Sequence, residues 1–438
     1  MLLTESYPAR EPSQGSPRLS SPAPAGGEAW RNEVVETTPF ERWLLFFGIV
    51  LLPLQDHLPA VGGFSVMFIV FAFIGLYAAL FRIKFLVRTA AQPIFGILYL
   101  LLAVALVMEL TQTPSSLFEF RRLGLMVFGA IILASLCRDR RALQLGIYSF
   151  IISGLLMAFN LLLTVYEPLR LIQVSSYAEA SQLQAQASQE DLLRMDMNKM
   201  ALVIAQGAVV ALVLALAKKG RWWLLLFTIV SAVGVTLTMS RGGLVILILT
   251  TLYILTLKGR IRRRTFGVLL VSLLVLSYLV PDTALKRIEF TDWNFLADPH
   301  PSGRAKIYQA AVEHFPDYAL YGVGSGNFWG PWGMGSWFRK GTAVQGTHSY
   351  FLQVWVYWGL LAELVLVWAL FKVRKLLPRT DDEDGVKIGL RAIAVSTFLY
   401  MFFSHVLSDK SFSITLGLLV GSSLWVFRSP EPAPRLGR

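Results

Sequence analysis

The chain has 438 residues, 55% of them hydrophobic and 16% charged, with a mean hydropathy of +0.57. Soluble domains carry about 25% charged residues and their single cores stop growing at roughly 250–300 residues, so this much apolar surface excludes a water-soluble globule. The net charge of +12 sits largely in short basic loops between apolar runs, which argues for membrane orientation and against nucleic-acid binding. The single cysteine, Cys137, excludes an intramolecular disulfide and a cysteine metal cluster.

Residues 1–40 are polar and rich in Pro, Ser and Gly, lack the basic-then-apolar order of a signal peptide, and read as a disordered tail. Apolar blocks follow, without period-2 alternation, which favours helices over a β-barrel. Candidate spans are 43–55, 63–81, 91–110, 122–137, 144–166, 197–217, 222–239, 242–258, 265–281, 348–371, 386–407 and 411–427. The expected fold is therefore an all-α polytopic membrane protein of about twelve transmembrane helices. The transmembrane domain covers 41–428, and 429–438 read as a second disordered tail. The first span is short and meets Pro53, Asp56 and His57, so it is expected to be tilted or interrupted.

The loops alternate in charge. Arg82/Lys84/Arg88, Arg138/Arg140/Arg141, Lys218/Lys219/Arg221, Lys258 through Arg264, and Lys372/Arg374/Lys375/Arg379 all fall on one side if there are twelve spans. The positive-inside rule makes that side cytoplasmic, with both termini there. The other side holds two long segments, 167–196 and 282–347. The second lies between spans nine and ten and is not low-complexity: it carries Trp293, Trp329, Trp332 and Trp337, an amphipathic stretch Arg304–Phe315, and Gly322, Gly324 and Gly326. A partly helical loop folded onto the outer membrane face is expected there.

Three basic groups are expected at three helix starts on that face. Ser240 suits an N-cap, which puts Arg241 in a first turn, and Gly242 and Gly243 allow close approach of a backbone or ligand. Ser302 suits a second N-cap, with Arg304 in the first turn, the apolar set Ile307, Ala310, Ala311 and Phe315 behind it, and Pro316 ending the run. Thr347 suits a third, with His348 in the first turn. A helix N-terminus already carries about half a positive charge, so an added arginine asks for an anion, and phosphate matches the guanidinium fork. The same dipole favours neutral imidazole at His348, the form a general base needs, while a bound phosphate would act in the opposite sense. Taken singly, an arginine at a membrane edge is more often a headgroup anchor, and a histidine at a span start an interfacial polar residue. Arg121 and Arg122, near the outer end of span four, either contact the same anion or anchor their helix. Gly322–Gly326 reads as a turn rather than a phosphate loop. Asp56/His57, His300, His314 and His405 show no metal-ligand spacing, and neither a metal nor a cofactor is called for.

The order Ser240-Arg241-Gly242-Gly243, Gly303-Arg304 through Phe315-Pro316, Tyr321 through Phe328, and Thr347-His348-Ser349-Tyr350 leading to Trp358-Gly359-Leu360 resembles the O-antigen ligase and polymerase superfamily. Met197-Asn198-Lys199-Met200-Ala201 is similar to an Asn-x-x-Ala motif of that family, so Asn198 joins Ser240, Gly242 and Gly243 as structural support. Many members have Asn where this chain has Ser349. The resemblance implies a metal-independent transferase in the bacterial inner membrane. Such an enzyme passes a glycan from undecaprenyl diphosphate to an acceptor hydroxyl at the periplasmic face, in lipopolysaccharide O-antigen ligation or in O-antigen or exopolysaccharide polymerisation. Arg241 and Arg304 would bind the diphosphate, and His348 would take the acceptor's proton. The implied partners are the lipid-linked glycan donor, a lipid A-core or growing-glycan acceptor, and the bilayer. The competing class is a secondary transporter or flippase for a lipid-linked glycan. It would place ionisable residues at mid-depth in repeated halves, and no clear repeat is present. Glu363 and Arg391 are the exceptions to the otherwise charge-poor spans, while Glu109 and Glu167 lie near span ends.

Overall fold

The computed structural model describes residues 36–54, 66–112, 117–166, 196–217, 223–257, 303–329, 339–340, 343–344, 347–379, 384–404 and 409–427. Residues 1–35 of the first expected tail, the whole of the second, the expected span 265–281 and almost all of the loop 167–196 lie outside these residues, while Pro39 and Phe40, counted in the expected tail, already belong to the first helix. The described part is helical apart from one two-residue hairpin, Arg339–Lys340 with Ala343–Val344.

In chain order the helices are α1 (Pro39–Val50), α2 (Val66–Phe81), α3 (Ile83–Ala90), α4 (Pro93–Gln112), α5 (Phe118–Leu136), α6 (Arg140–Thr164), α7 (Met197–Ala217), α8 (Trp223–Leu237) and α9 (Arg241–Leu257). After the expected ninth span come α10 (Gly303–Glu313), α11 (Phe315–Tyr318), α12 (Ser325–Trp329), α13 (Tyr350–Leu376), α14 (Gly385–Tyr400) and α15 (Lys410–Gly421). Four of them, α4, α6, α7 and α13, are long and apolar enough to cross a membrane alone, or five spans if α2 and α3 count as one bent span. Helices α8, α9 and α15 are apolar but shorter.

Helix α7 is the centre of the bundle and packs against α6, α8, α9 and α14. Its small residues make this possible. A Cβ on Gly207 would lie 2.6 Å from the Phe150 carbonyl oxygen, and one on Gly154 of α6 would lie 3.2 Å from the Gly207 Cα. Close backbone approach of this kind is how helices gain dispersion contact where lipid offers no hydrophobic drive. The outward faces carry Leu76, Leu80, Phe159, Leu163, Ile248, Leu252, Leu364 and Phe371, all exposed, as surfaces for lipid chains should be.

Several boundaries differ from the expectation for identifiable reasons. Helix α1 starts at Pro39 because Thr38 and Glu41 form a reciprocal capping box, and it gives way to a 3₁₀ turn, Leu52–Leu54, around Pro53. Residues 82–90, expected as a basic loop, instead form α3, bent by 106° from α2. Its apolar Ile83 and Val87 are exposed while Arg88 covers the Trp425 ring at 4.8 Å. Helix α14 ends at Tyr400, and turns at 401–404 replace the end of the expected span. Pro316 does not end the helical run: α10 stops at Glu313, and Pro316 occupies the first turn of α11, where its missing N–H costs nothing.

One end of the bundle gathers the basic groups Arg42, Arg82, Arg138 and Arg140. The fully buried Glu41 accepts from the Thr38 amide, from Arg82 and from Arg138 at 2.5 Å, and the Arg138 guanidinium lies over the Phe85 ring. Asp139 caps α6 through the Ala142 amide and also binds Arg42 and the Thr37 amide. Arg140 reaches Asp384, the N-cap of α14, at 3.0 Å. The loops after α2, after α5 and before α14 therefore share one face.

Candidate active site

The opposite end carries the expected site residues. Met239 turns the chain with φ +52°, and Ser240 then caps α9: its hydroxyl accepts from the Gly243 amide at 3.2 Å and its carbonyl from the Leu244 amide. Arg241 is the first residue of α9. The Ser240 hydroxyl donates to Asn198 Oδ1 at 2.8 Å, so the Asn-x-x-Ala segment holds the start of α9 against the start of α7. Asp196 caps α7 in turn, through the Asn198 and Lys199 amides. It stands immediately before the helix, as an N-cap should, and the sequence reading missed it. A Cβ on Gly243 would lie 2.4 Å from Ala201 Cβ, and one on Gly242 would lie 3.1 Å from Phe403 Cβ. Both glycines serve close packing, against α7 and against the turn after α14.

His348 is not in a first helical turn. Thr347 does not cap: its hydroxyl donates to the Ser349 carbonyl at 2.9 Å. Ser349 is the N-cap residue, and α13 starts at Tyr350, whose amide donates to the Met401 carbonyl at 2.8 Å. His348 stands before the cap, half-buried, with φ +52°. A left-handed conformation is uncommon for a residue with a Cβ, and it turns this residue out of the line of the helix. The turn at 401–404 joins the two starts, since Met401 accepts from Tyr350 and Phe403 packs on Gly242. Arg241 and His348 therefore flank one turn at one end of the bundle.

Arg304 is the second residue of α10; Ser302, its expected cap, lies outside the described residues. Ile307, Ala310 and Ala311 are buried as expected. Helix α10 leads into α11, where Tyr318 donates to the Ala311 carbonyl and Phe315 meets the Trp355 ring edge-on at 5.4 Å. Arg122 pairs with Glu119 at 2.8 Å and covers the Phe118 ring at 4.0 Å, contacts within its own helix start that fit an anchoring role; Arg121 is exposed one residue earlier.

The glycine-rich stretch after α11 has a structural task. Helix α13 is broken at Gly359, with φ +77° and ψ −174°. The Leu360 amide, which an unbroken helix would give to Val356, goes to the Ala319 carbonyl at 3.0 Å. The Val356 carbonyl accepts from Val323, and the Tyr357 carbonyl from Gly324, each at 2.9 Å. The loop thus replaces the missing helical hydrogen bonds and is spliced into the break. Only glycine fits at the two crossing points. A Cβ on Gly322, at φ +69°, would lie 2.4 Å from the Tyr357 oxygen, and one on Gly359 would lie 2.3 Å from the Leu320 oxygen.

Residues 226–367 match the family model described as O-antigen ligase. The match supports the O-antigen ligase and polymerase superfamily for this segment. It contains Arg241, α10, the splice and His348. No curated protein matches the chain. The ligase-type segment supports an enzyme of the glycan ligase or polymerase kind, carried by a multi-pass helical membrane protein.

Proposed function

We propose that the chain is a metal-independent glycosyltransferase of the bacterial inner membrane, moving a glycan from undecaprenyl diphosphate to an acceptor hydroxyl on the periplasmic side. The reading takes the chain as twelve spans, with 265–281 as the ninth, both termini cytoplasmic, and the 282–347 segment as the outer loop. The observation that carries it is the shared turn at 401–404, which brings the start of α9 with Arg241 beside the residues that precede α13, including His348. Both lie in the ligase-type segment.

In this reading Arg241 and Arg304 hold the diphosphate. Guanidinium groups at helix starts combine with the positive helix end to meet charge that grows as the leaving group departs. His348 accepts the proton of the acceptor hydroxyl. The new C–O bond forms at the anomeric carbon as its bond to the phosphate oxygen breaks, and undecaprenyl diphosphate leaves with the electron pair. The proton then returns from His348 to solvent. His348 stands in a left-handed turn, a strained backbone conformation of the kind that functional sites retain.

The test is transfer in a reconstituted assay with a lipid-linked donor and acceptor. His348→Ala is expected to abolish transfer in a chain that stays monodisperse, and Arg241→Lys to reduce it strongly because lysine lacks the bidentate fork. An alanine variant that keeps most of its rate would remove the general-base role. Donor movement across vesicles without any acceptor would favour a flippase instead.

A further inference from the structure

Glu109, near the end of α4, is completely buried, and no motif or expected role singled it out. Its carboxylate accepts from the Ser325 amide at 3.1 Å with each oxygen, and from the Trp358 indole N–H at 2.9 Å. Ser325 opens α12 directly after the splice, and Trp358 is the last residue before the break at Gly359. One side chain from a third helix thus grips both strands of the splice where they cross. Asn327 adds a bond from the same loop to the Gln112 carbonyl, at the end of α4.

The consequence is mechanical. The half-helix Tyr350–Trp358 begins two residues after His348. The loop bonded to it continues back through α11, where the Trp355 indole donates to the Ala319 carbonyl, to α10 and Arg304. This assembly carries two of the three proposed site residues, whereas Arg241 stands on α9, packed against α7. Gly359 is the only break in α13, so the half-helix and its loop could tilt as a unit. Glu109 ties that unit to α4.

We infer that Glu109 is a positioning residue, which clamps the Ser325 amide and the Trp358 indole and so sets the spacing between Arg241 and the Arg304–His348 unit. This rests on the transferase reading given above. Glutamine at 109 would keep the length, but both carboxylate oxygens face the Ser325 amide, so whichever way the side chain is turned its N–H₂ meets that N–H, donor against donor, in a buried place.

The experiment uses the full chain in nanodiscs with Ser325→Cys as reporter. Ser325 is 1% exposed and its hydroxyl has no hydrogen-bond partner among the described residues, so a thiol is tolerated and the backbone amide is kept. The fully buried Cys137 serves as a built-in control for loss of the whole fold. A sulfonated maleimide is expected to label neither thiol in the Ser325→Cys chain. Adding Glu109→Gln is expected to expose the introduced thiol alone and to lower kcat about ten- to a hundred-fold, the scale of an ångström's misplacement, with the acceptor KM little changed. An intact rate, with or without labelling of the introduced thiol, overturns the proposal. So does a lost rate with that thiol still protected. If both thiols label, the fold has failed and Trp358→Phe decides: it removes one donor and keeps a ring, and an unchanged kcat there overturns the proposal. A parent chain, with Ser325 in place, that never transfers glycan would refute the transferase reading instead, while the labelling comparison would still report whether Glu109 holds the loop.

Discussion

The two ends of the bundle are closed by different means. At the basic end, charged side chains meet each other: Glu41 joins Arg82 and Arg138, Asp139 joins Arg42, and Asp384 joins Arg140. At the site end, the contacts that set the geometry run through neutral donors, most of them main-chain amides: the Gly322–Gly359 crossing, the Tyr350 amide on Met401, the Ser240 hydroxyl on Asn198, and the Ser325 amide and Trp358 indole on Glu109. Ion pairs between side chains resist separation of helices but tolerate small shifts. Main-chain hydrogen bonds through glycines at positive φ admit one geometry. The first end is built for stability, and the second for position.

The strongest test of that contrast removes Glu41. Arg138 is 4% exposed and would be left with an uncompensated buried charge, which typically costs about 3–5 kcal/mol when one partner of a buried pair is deleted. Arg82 can turn toward water, so the lower end of that range is expected. Glu41→Ala should therefore lower the apparent melting temperature clearly, while the molecules that remain folded keep their kcat. A clear fall in kcat per folded molecule would show that the basic end also controls the site.

Gly359→Ala probes the other end. The φ of +77° carries a strain of about 1–3 kcal/mol for a residue with a Cβ, and the added methyl would meet the Leu320 oxygen. The expected stability loss is of the same order as for Glu41→Ala, but here kcat should also fall at least ten-fold, since the loop carrying Arg304 loses its seat. Thermal melting and single-turnover transfer on the same preparation separate the two effects. Equal rates for Gly359→Ala and the parent chain would mean that the splice is structural only.

Features written in local sequence were legible in advance, and features made by distant partners were not. The long apolar runs became helices, and Ser240 caps α9, because both follow from residues within one turn of each other. The bend between α2 and α3 was hidden by Arg82, Lys84 and Arg88, which read as a loop although Ile83, Leu86 and Val87 share a helical period. At the start of α13 the expected cap was Thr347, and the residue found in that place is Ser349. The choice was made by Met401, from another span, which takes the Tyr350 amide. Glu109 looked like a carboxylate at a span end, because both of its donors lie far along the chain.

The smallest expected effect tests whether position at the site end depends on single hydrogen bonds. Ser240→Ala removes the cap on Gly243 and the bond to Asn198 together. Loss of an N-cap costs about 1 kcal/mol, which a bundle of this size absorbs with little change in melting. The bond to Asn198 bears on function instead, because it fixes Arg241 at the start of α9 relative to α7. Asn198→Ala leaves the cap intact and removes only that bond. If position matters here as at the splice, Ser240→Ala and Asn198→Ala should lower kcat/KM for the donor by similar factors, and the double variant should fall no further than either alone. Independent, additive losses would mean that the two side chains do not act through their shared bond. The precision of this end would then rest on the glycine crossings alone.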